Sequence, residues 1–338
     1  GFVLHTLALS RLERLLFPWS LAMRFRRLVK ADSLVFFNYP RFAALLPQEI
    51  HRSIGVFHGV EWDTDLLSYV WRESKYRYGF IKGPLMGAAK YMFFRGVVPH
   101  LVRQGISKLT ATVSVDSNLM MYLPAKLRDK VKVIHNYVDT GLFSPSSEPR
   151  FEAPLRILVP RNLNVARGVY MLPEICSYLR RLGVLARFTI VGTGPVYPYL
   201  RKRIMELEVE DCFVFTGHVG DRAQMSALYN ECDIVLIPSV FSEGTSLAML
   251  EGMASGRLVA ATDIGGLKEI GVHGREKLVV QPNVRSIAEV IMWVMDNRSE
   301  AHAIAKRSRE YCLQNFSKEL WNLKWNRVLD DVLGFNGR

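Results

Sequence analysis

The 338-residue sequence contains no apolar run of the roughly 18 residues that a bilayer-spanning helix requires. That sets aside a chain built of membrane spans. Residues 1–10 are apolar, but no basic stretch precedes them, so they do not read as a signal peptide. Cysteine is scarce. Cys176, Cys212, Cys232 and Cys312 stand far apart with no Cys-x-x-Cys, which excludes a disulfide framework and a zinc knuckle. They read as free, buried thiols in a reducing compartment. His135, His218 and His273 lack ligand spacing, so no metal site is expected. There is no RNP, zinc-finger or helix-turn-helix pattern, and hence no nucleic-acid partner. Low-complexity segments and short internal repeats are also missing.

What is there is globular. With 49% hydrophobic and 22% charged residues, the chain is long enough for two domains. Its net charge of +12 favours an anionic partner, although a basic balance can also serve solubility alone. The basic residues are uneven. Residues 11–30 mix Arg11, Arg14, Arg24, Arg26, Arg27 and Lys30 with Phe17, Trp19 and Phe25, and residues 72–95 repeat the mixture. Cations among aromatics fit contact with an anionic membrane surface, although Pro18 interrupts the first stretch.

Apolar strand-like runs alternate with helical patterns along the whole chain. Strands are expected at 33–38, 54–58, 109–114 and 131–134, then at 155–159, 186–191, 213–216, 234–237 and 258–261. Such alternation predicts parallel, doubly wound sheets. A Pro- and Ser-rich segment, residues 144–154, is the best linker, dividing domains of 1–143 and 144–316. Residues 317–338 begin with a final helical pattern.

The richest stretch is 233–270. Ile234 to Ile237, between Asp233 and Pro238, reads as a buried parallel strand. A polar loop follows, then a helix starting near Thr245 or Ser246, with Gly256 at its C-terminal stop. Leu258 to Ala261 is the next strand, completing a βαβ unit. A helix N-terminus at a strand's carboxyl end suits a phosphate, and Gly244 permits close approach of backbone to ligand. Glu243 and Glu251 lie eight residues apart, on nearly one face. Ionised carboxylates accept hydrogen bonds and suit sugar or ribose hydroxyls. The bland alternative is a loop residue and a solvated helix residue. Against it, Glu251 follows Leu-Ala-Met-Leu and is flanked by small residues that allow close packing.

This ordered set, Pro238-Ser239, Glu243-Gly244, Glu251-Gly-Met-Ala-Ser-Gly256 and Gly265-Gly-x-x-Glu-Ile270, resembles the signature of glycosyltransferase family 4. The resemblance extends to Val133-Ile-His-Asn-Tyr-Val-Asp139, with Tyr137 where Gly is usual, and to Leu158-Val-Pro-Arg161, with Pro160 for Gly. Arg167-Gly168 stands for Lys-Gly, and Ile190-Val-Gly-Thr-Gly-Pro195 and Phe215-Thr-Gly-His-Val219 also match. It implies an α/β protein of the GT-B fold, with two Rossmann-like domains facing a cleft and the C-terminal helix crossing back onto the first. It further implies retaining transfer from a nucleotide-sugar, a UDP- or GDP-sugar, without cofactor or metal. A glycan or lipid-linked acceptor would be met in the cytoplasm, or at the membrane's cytoplasmic face.

The resemblance also assigns roles. Arg161 and Arg167 would grip the donor diphosphate. Glu243 would face the donor sugar, and Glu251 would bind ribose hydroxyls. Gly244, Thr245, Ser246 and Leu247 would meet the distal phosphate, and Gly217, His218 and Val219 would border the base. His58, ending a strand in the first domain, would contact the sugar near its reacting carbon; a lone histidine is otherwise more often structural. Glu61 and Asp63 would touch the acceptor. The family's opening strand and Gly-rich loop have no counterpart here, and the first residue is Gly1, so the sequence reads as a fragment. Two alternatives stay open: a non-catalytic sugar-nucleotide binder, and another GT-B enzyme. A phosphorylase would want a pyridoxal-binding lysine, for which no context is found. An epimerase would convert donor without acceptor.

Overall fold

The structure is a computed structural model that describes residues 33–45, 51–60 and 91–335, with Val29 and Ala88 besides. Segment 11–30, most of segment 72–95, Glu61 and Asp63 lie outside the described residues. The chain divides into two compact units. Among the described residues, one takes those up to 60, Met92–Ile134 and those from Leu323 on, and the other takes Ala88, Tyr91 and His135–Asn322.

In the first unit, β1 (Val35–Phe37), β2 (Ser53–Phe57), β3 (Ala111–Ser114) and β4 (Val131–Val133) form a parallel sheet in that order. Helix α1 (Val98–Lys108) buries Val98, Val102 and Ile106, spaced four apart and so on one face. They join Phe57, Leu119, Leu123 and Leu127 in this unit's core.

The second unit has six parallel strands: β5 (Leu155–Pro160), β6 (Ala186–Val191), β7 (Phe213–Gly217), β8 (Ile234–Ile237), β9 (Leu258–Thr262) and β10 (Leu278–Val280). Their order is β10-β9-β8-β5-β6-β7. From β5 the chain steps outward to β7, then returns to β5's other side at β8 and steps outward again. The order therefore reverses between β5 and β8, and in an open α/β sheet a ligand crevice opens at the carboxyl ends of such a pair. Helices α2 (Leu172–Arg181), α3 (Tyr197–Glu206), α4 (Arg222–Glu231), α5 (Leu247–Ala254), α6 (Val284–Asp296), α7 (Arg298–Asn315) and α8 (Lys318–Leu333) complete the elements used below.

Alternation along the strands builds two cores. Ile157, Val159, Ile234 and Leu236 join one, with Ile175 of α2 and Ile291 of α6. Leu158, Val235 and Ile237 join the other, with Met249 and Met253 of α5. Both faces are covered, which is why β8 reads as an unbroken apolar run instead of an alternating one. Each such side chain stabilises the fold by roughly 1.5–3 kcal/mol on burial. Gly252 lets α5 press onto β8: a Cβ there would sit 2.9 Å from Val235 Cγ2.

Strand β10 and helices α6 and α7 are elements that the sequence pattern does not single out. The division of the chain also falls earlier than the Pro- and Ser-rich segment, between Ile134 and His135. That segment is fastened to the second unit. Phe143 and Phe151 are buried, the Ser146 N–H donates to Asn230 Oδ1 (2.8 Å), and the Arg150 N–H donates to Asp233 Oδ1 (2.8 Å). Buried Arg257 donates to the Ser147 carbonyl. Proline and serine there mark the lack of a regular element, not freedom. All four cysteines are free and buried. Among the described residues, no helix is long and apolar enough to cross a membrane.

Candidate functional site

The carboxyl ends of β5 and β8 carry the residues that the sequence motifs single out. The Arg161 N–H bonds the Val191 carbonyl (2.9 Å), fixing the turn out of β5 beside β6. The loop then runs to Asn164, whose Oδ1 accepts from the Arg167 N–H (3.1 Å) and holds a short turn. Gly168 follows at φ +68°; a Cβ there would lie 1.8 Å from the Pro238 carbonyl oxygen, so only glycine fits. The Val240 N–H donates to the Ala166 carbonyl (2.9 Å). The loops after β5 and β8 are thus joined, and their side chains converge.

Arg161 is the hub. Its Nη2 donates to Ser239 Oγ (2.8 Å) and to Glu243 Oε2, and its Nη1 reaches Ser246 Oγ (3.3 Å). Arg167 Nη1 donates to the same Glu243 Oε2, and Ser239 Oγ lies 3.3 Å from Oε1. Arg161 and Glu243 are buried, while the Arg167 side chain keeps 29% of its surface exposed. Two guanidinium groups meet one carboxylate, which leaves an excess positive charge at the strand ends. Among the described residues, the buried Arg161 Nε has no hydrogen-bond partner. A guanidinium fork of this kind binds phosphate oxygens bidentately.

Helix α5 starts at the same place, with Ser246 as its N-cap in an extended conformation and no side-chain cap bond. The Leu250 N–H bonds Ser246 O (3.1 Å), and the amides of the helix's first turn have no intrahelical acceptor. The loop before it is held from the β9 side. Gly265, at φ +57°, passes so close that a Cβ would meet Glu243 O at 2.6 Å, and the Gly266 N–H donates to that oxygen (2.7 Å).

Glu251 lies one turn along α5, half-buried, with Oε2 2.9 Å from the hydroxyl of fully buried Tyr229 of α4. Burial pushes the Glu251 carboxyl above the usual carboxylate range, against the opposing pull of the Tyr229 hydroxyl and Arg222. Tyr229 is pushed well above its ordinary value by burial, and by the Glu251 charge.

The structure thus brings Arg161, Arg167, Glu243 and Ser246 together, with Gly244, Thr245 and Leu247 in the same loop and helix start. Gly217 ends β7, and His218 and Val219 follow it. The Gly217 carbonyl accepts from the Gly192 N–H (2.7 Å), His218 is exposed and Val219 is half-buried. His58 directly follows β2 in the first unit, exposed, with its ring 6.4 Å from that of Tyr39. Ser239 and Tyr229 are additions. Ser239 is readable from the Pro-Ser pair after β8; Tyr229 carries no pattern that points to Glu251. A cavity of about 450 Å³ lies at the opposite, amino ends of the strands, lined by Arg150, Arg156, Arg187 and Asp233 among others.

Residues 155–297 match the family model "Glycosyl transferases group 1". The putative colanic acid biosynthesis glycosyltransferase WcaL of Escherichia coli (strain K12) is 28% identical over 202 residues, 58% of this chain and 50% of that protein. The chain spans about half the length of the curated relatives it matches. Sucrose-phosphate synthase from Thermosynechococcus elongatus superimposes with a TM-score of 0.75 at 16% identity, covering 97% of this chain and 81% of that one. HepE of Anabaena, in a crystal structure with UDP-glucose, gives 0.68 at 16% identity, covering 95% and 84%. The fold is GT-B: two α/β units, each built on a parallel sheet.

Proposed function

We propose that the protein is a retaining glycosyltransferase of family 4 that moves a sugar from a nucleotide-sugar to an acceptor hydroxyl. One observation carries this reading: two arginines and one glutamate converge with the start of α5 at the only reversal of strand order among the described residues. In the reading, Arg161, Arg167 and the amides of Thr245, Ser246 and Leu247 hold the donor diphosphate. Their charge stabilises the leaving phosphate as the glycosidic bond breaks. Glu243, anchored by both arginines, faces the sugar. Glu251 accepts from ribose hydroxyls, and the main chain of Gly217, His218 and Val219 borders the base. The sugar departs through an oxocarbenium-like transition state. The acceptor attacks the face that the leaving group vacates, and the leaving phosphate takes its proton. His58 contacts the sugar near the reacting carbon, and Glu61 and Asp63 contact the acceptor. The first unit takes the acceptor and the second the donor.

A UDP-sugar is the donor to try first, because HepE, which shares the fold, was crystallised with UDP-glucose. The name of WcaL supports a role in polysaccharide synthesis. The basic aromatic segments favour a lipid-linked acceptor at a membrane surface. The test is calorimetric titration with UDP, GDP and ADP, followed by transfer assays with the sugars of whichever nucleotide binds. Tight binding of one nucleotide, lost in Arg161→Ala and Glu251→Ala, supports the donor site. Binding without consumption of any sugar-nucleotide would turn the reading toward a non-catalytic binder.

A further inference from the structure

His135 and Asn136, which follow β4 by one residue, reach both loops of the candidate site. The Asn136 N–H donates to Thr245 Oγ1 (3.3 Å), and its Nδ2 donates to the Thr245 carbonyl oxygen (3.2 Å). His135 Nε2 lies 2.7 Å from Glu269 Oε2. Glu269 ends the short 3₁₀ helix Gly265–Glu269, whose Gly266 N–H holds the Glu243 carbonyl.

These bonds have a geometric consequence. In a trans peptide the C=O and the next N–H point in opposite directions within one plane. Fixing the Thr245 carbonyl against Asn136 therefore turns the Ser246 N–H the other way. Fixing the Glu243 carbonyl against Gly266 does the same to the Gly244 N–H. Gly244 and Ser246 are buried, and neither N–H has an acceptor among the described residues. These two amides at the head of a helix, beside Arg161, make a concavity suited to an anion.

We propose that His135 and Asn136 are positioning residues for this concavity. Asn136 acts directly on the 245–246 peptide, and His135 acts through Glu269 on the turn that holds Glu243. Neither needs to touch the ligand. The inference rests on the donor-site reading for the identity of the anion, a nucleoside diphosphate. Its effect on the loop does not.

The experiment uses the full chain and the variants Asn136→Ala, His135→Ala and His135→Gln. It reads amide hydrogen exchange without ligand and calorimetric titration with UDP, GDP and ADP. Loss of the Asn136 amide bond is expected to weaken nucleotide binding about five- to tenfold, the size of one buried hydrogen bond. Exchange at Leu250, whose N–H bonds the Ser246 carbonyl, should quicken in Asn136→Ala while the amides of β5 and β8 stay protected; a general loss of packing would quicken both. His135→Ala should give a smaller, parallel effect that His135→Gln, which keeps a donor, restores in part. Should Asn136→Ala not fold, the two His135 variants carry the comparison. Unchanged exchange and affinity in the variants would overturn the proposal. Altered exchange in a protein that binds none of the three nucleotides would keep the positioning role and remove the donor reading.

Discussion

Strands β5 and β8 are joined by an arginine–carboxylate cluster at each end, and the two clusters are built differently. At the amino ends, Asp233 is almost wholly buried and accepts from four donors: the N–H groups of Arg150 and Arg156, and Nε and Nη2 of Arg156. Both carboxylate oxygens are engaged and one cation balances one anion. At the carboxyl ends, one carboxylate is shared by two cations, and among the described residues Arg161 Nε and the N–H groups of Gly244 and Ser246 have no acceptor. The same chemistry makes a closed fastener at one end and an unfinished, positive site at the other. Saturation of donors and acceptors, more than the presence of charge, separates the two ends.

The largest expected effect breaks the open cluster. Arg161→Ala should lower nucleotide affinity about 100-fold, since it removes charge-assisted bonds worth roughly 1.5–3 kcal/mol each. Arg167, more exposed, should cost about tenfold; isothermal titration measures both. Next comes the closed cluster. Asp233→Ala should destabilise the fold by about 3 kcal/mol, because it strands a guanidinium and two amides, while leaving affinity within about twofold. Denaturant unfolding and titration separate these outcomes.

The pH dependences should run in opposite senses. Burial raises the Asp233 carboxyl, but the bonds from Arg156 outweigh it and hold the pKa below the ordinary value. Its stabilisation is present above the unfolded value, about 3.9, and is lost as pH falls through the depressed one. Glu251 is raised by burial, so its contribution to stability is present below its ordinary value, about 4.3, and is lost as pH rises through the raised one. On the proposed reading Glu251 accepts from ribose hydroxyls, and its ionised form is the stronger acceptor. Nucleotide affinity should therefore fall as pH drops through that raised value, and Glu251→Gln should flatten the profile. The smallest effect sharpens the contrast. Arg187, which lines the amino-end cavity, should be replaceable by Ala with no change in affinity.

Much of this was legible in particular residues. The apolar run Ile234–Ile237 and the spacing from Ser246 to Gly256 define β8 and α5 before any coordinates. The motifs around Arg161, Arg167 and Glu243 point to chemistry there. What could not be read is that Arg161 and Glu243, 82 positions apart, share a hydrogen bond. That depends on β8 returning beside β5, a matter of strand order. Tyr229 escaped because its link to Glu251 crosses from one helix to another. Strand β10 escaped because three residues carry too little periodicity. The segment 144–154 looks like a free linker by composition, yet its amides are held by Asp233 and Asn230.

The central contrast is tested most directly by titrating the nucleotide that binds into wild type, Arg161→Ala and Asp233→Ala side by side, with the unfolding free energy of each. The expected result is a crossover. Arg161→Ala should lose binding far more than stability, and Asp233→Ala should lose stability while it still binds. Variants that lose both properties in the same proportion would contradict the division into an open and a closed end.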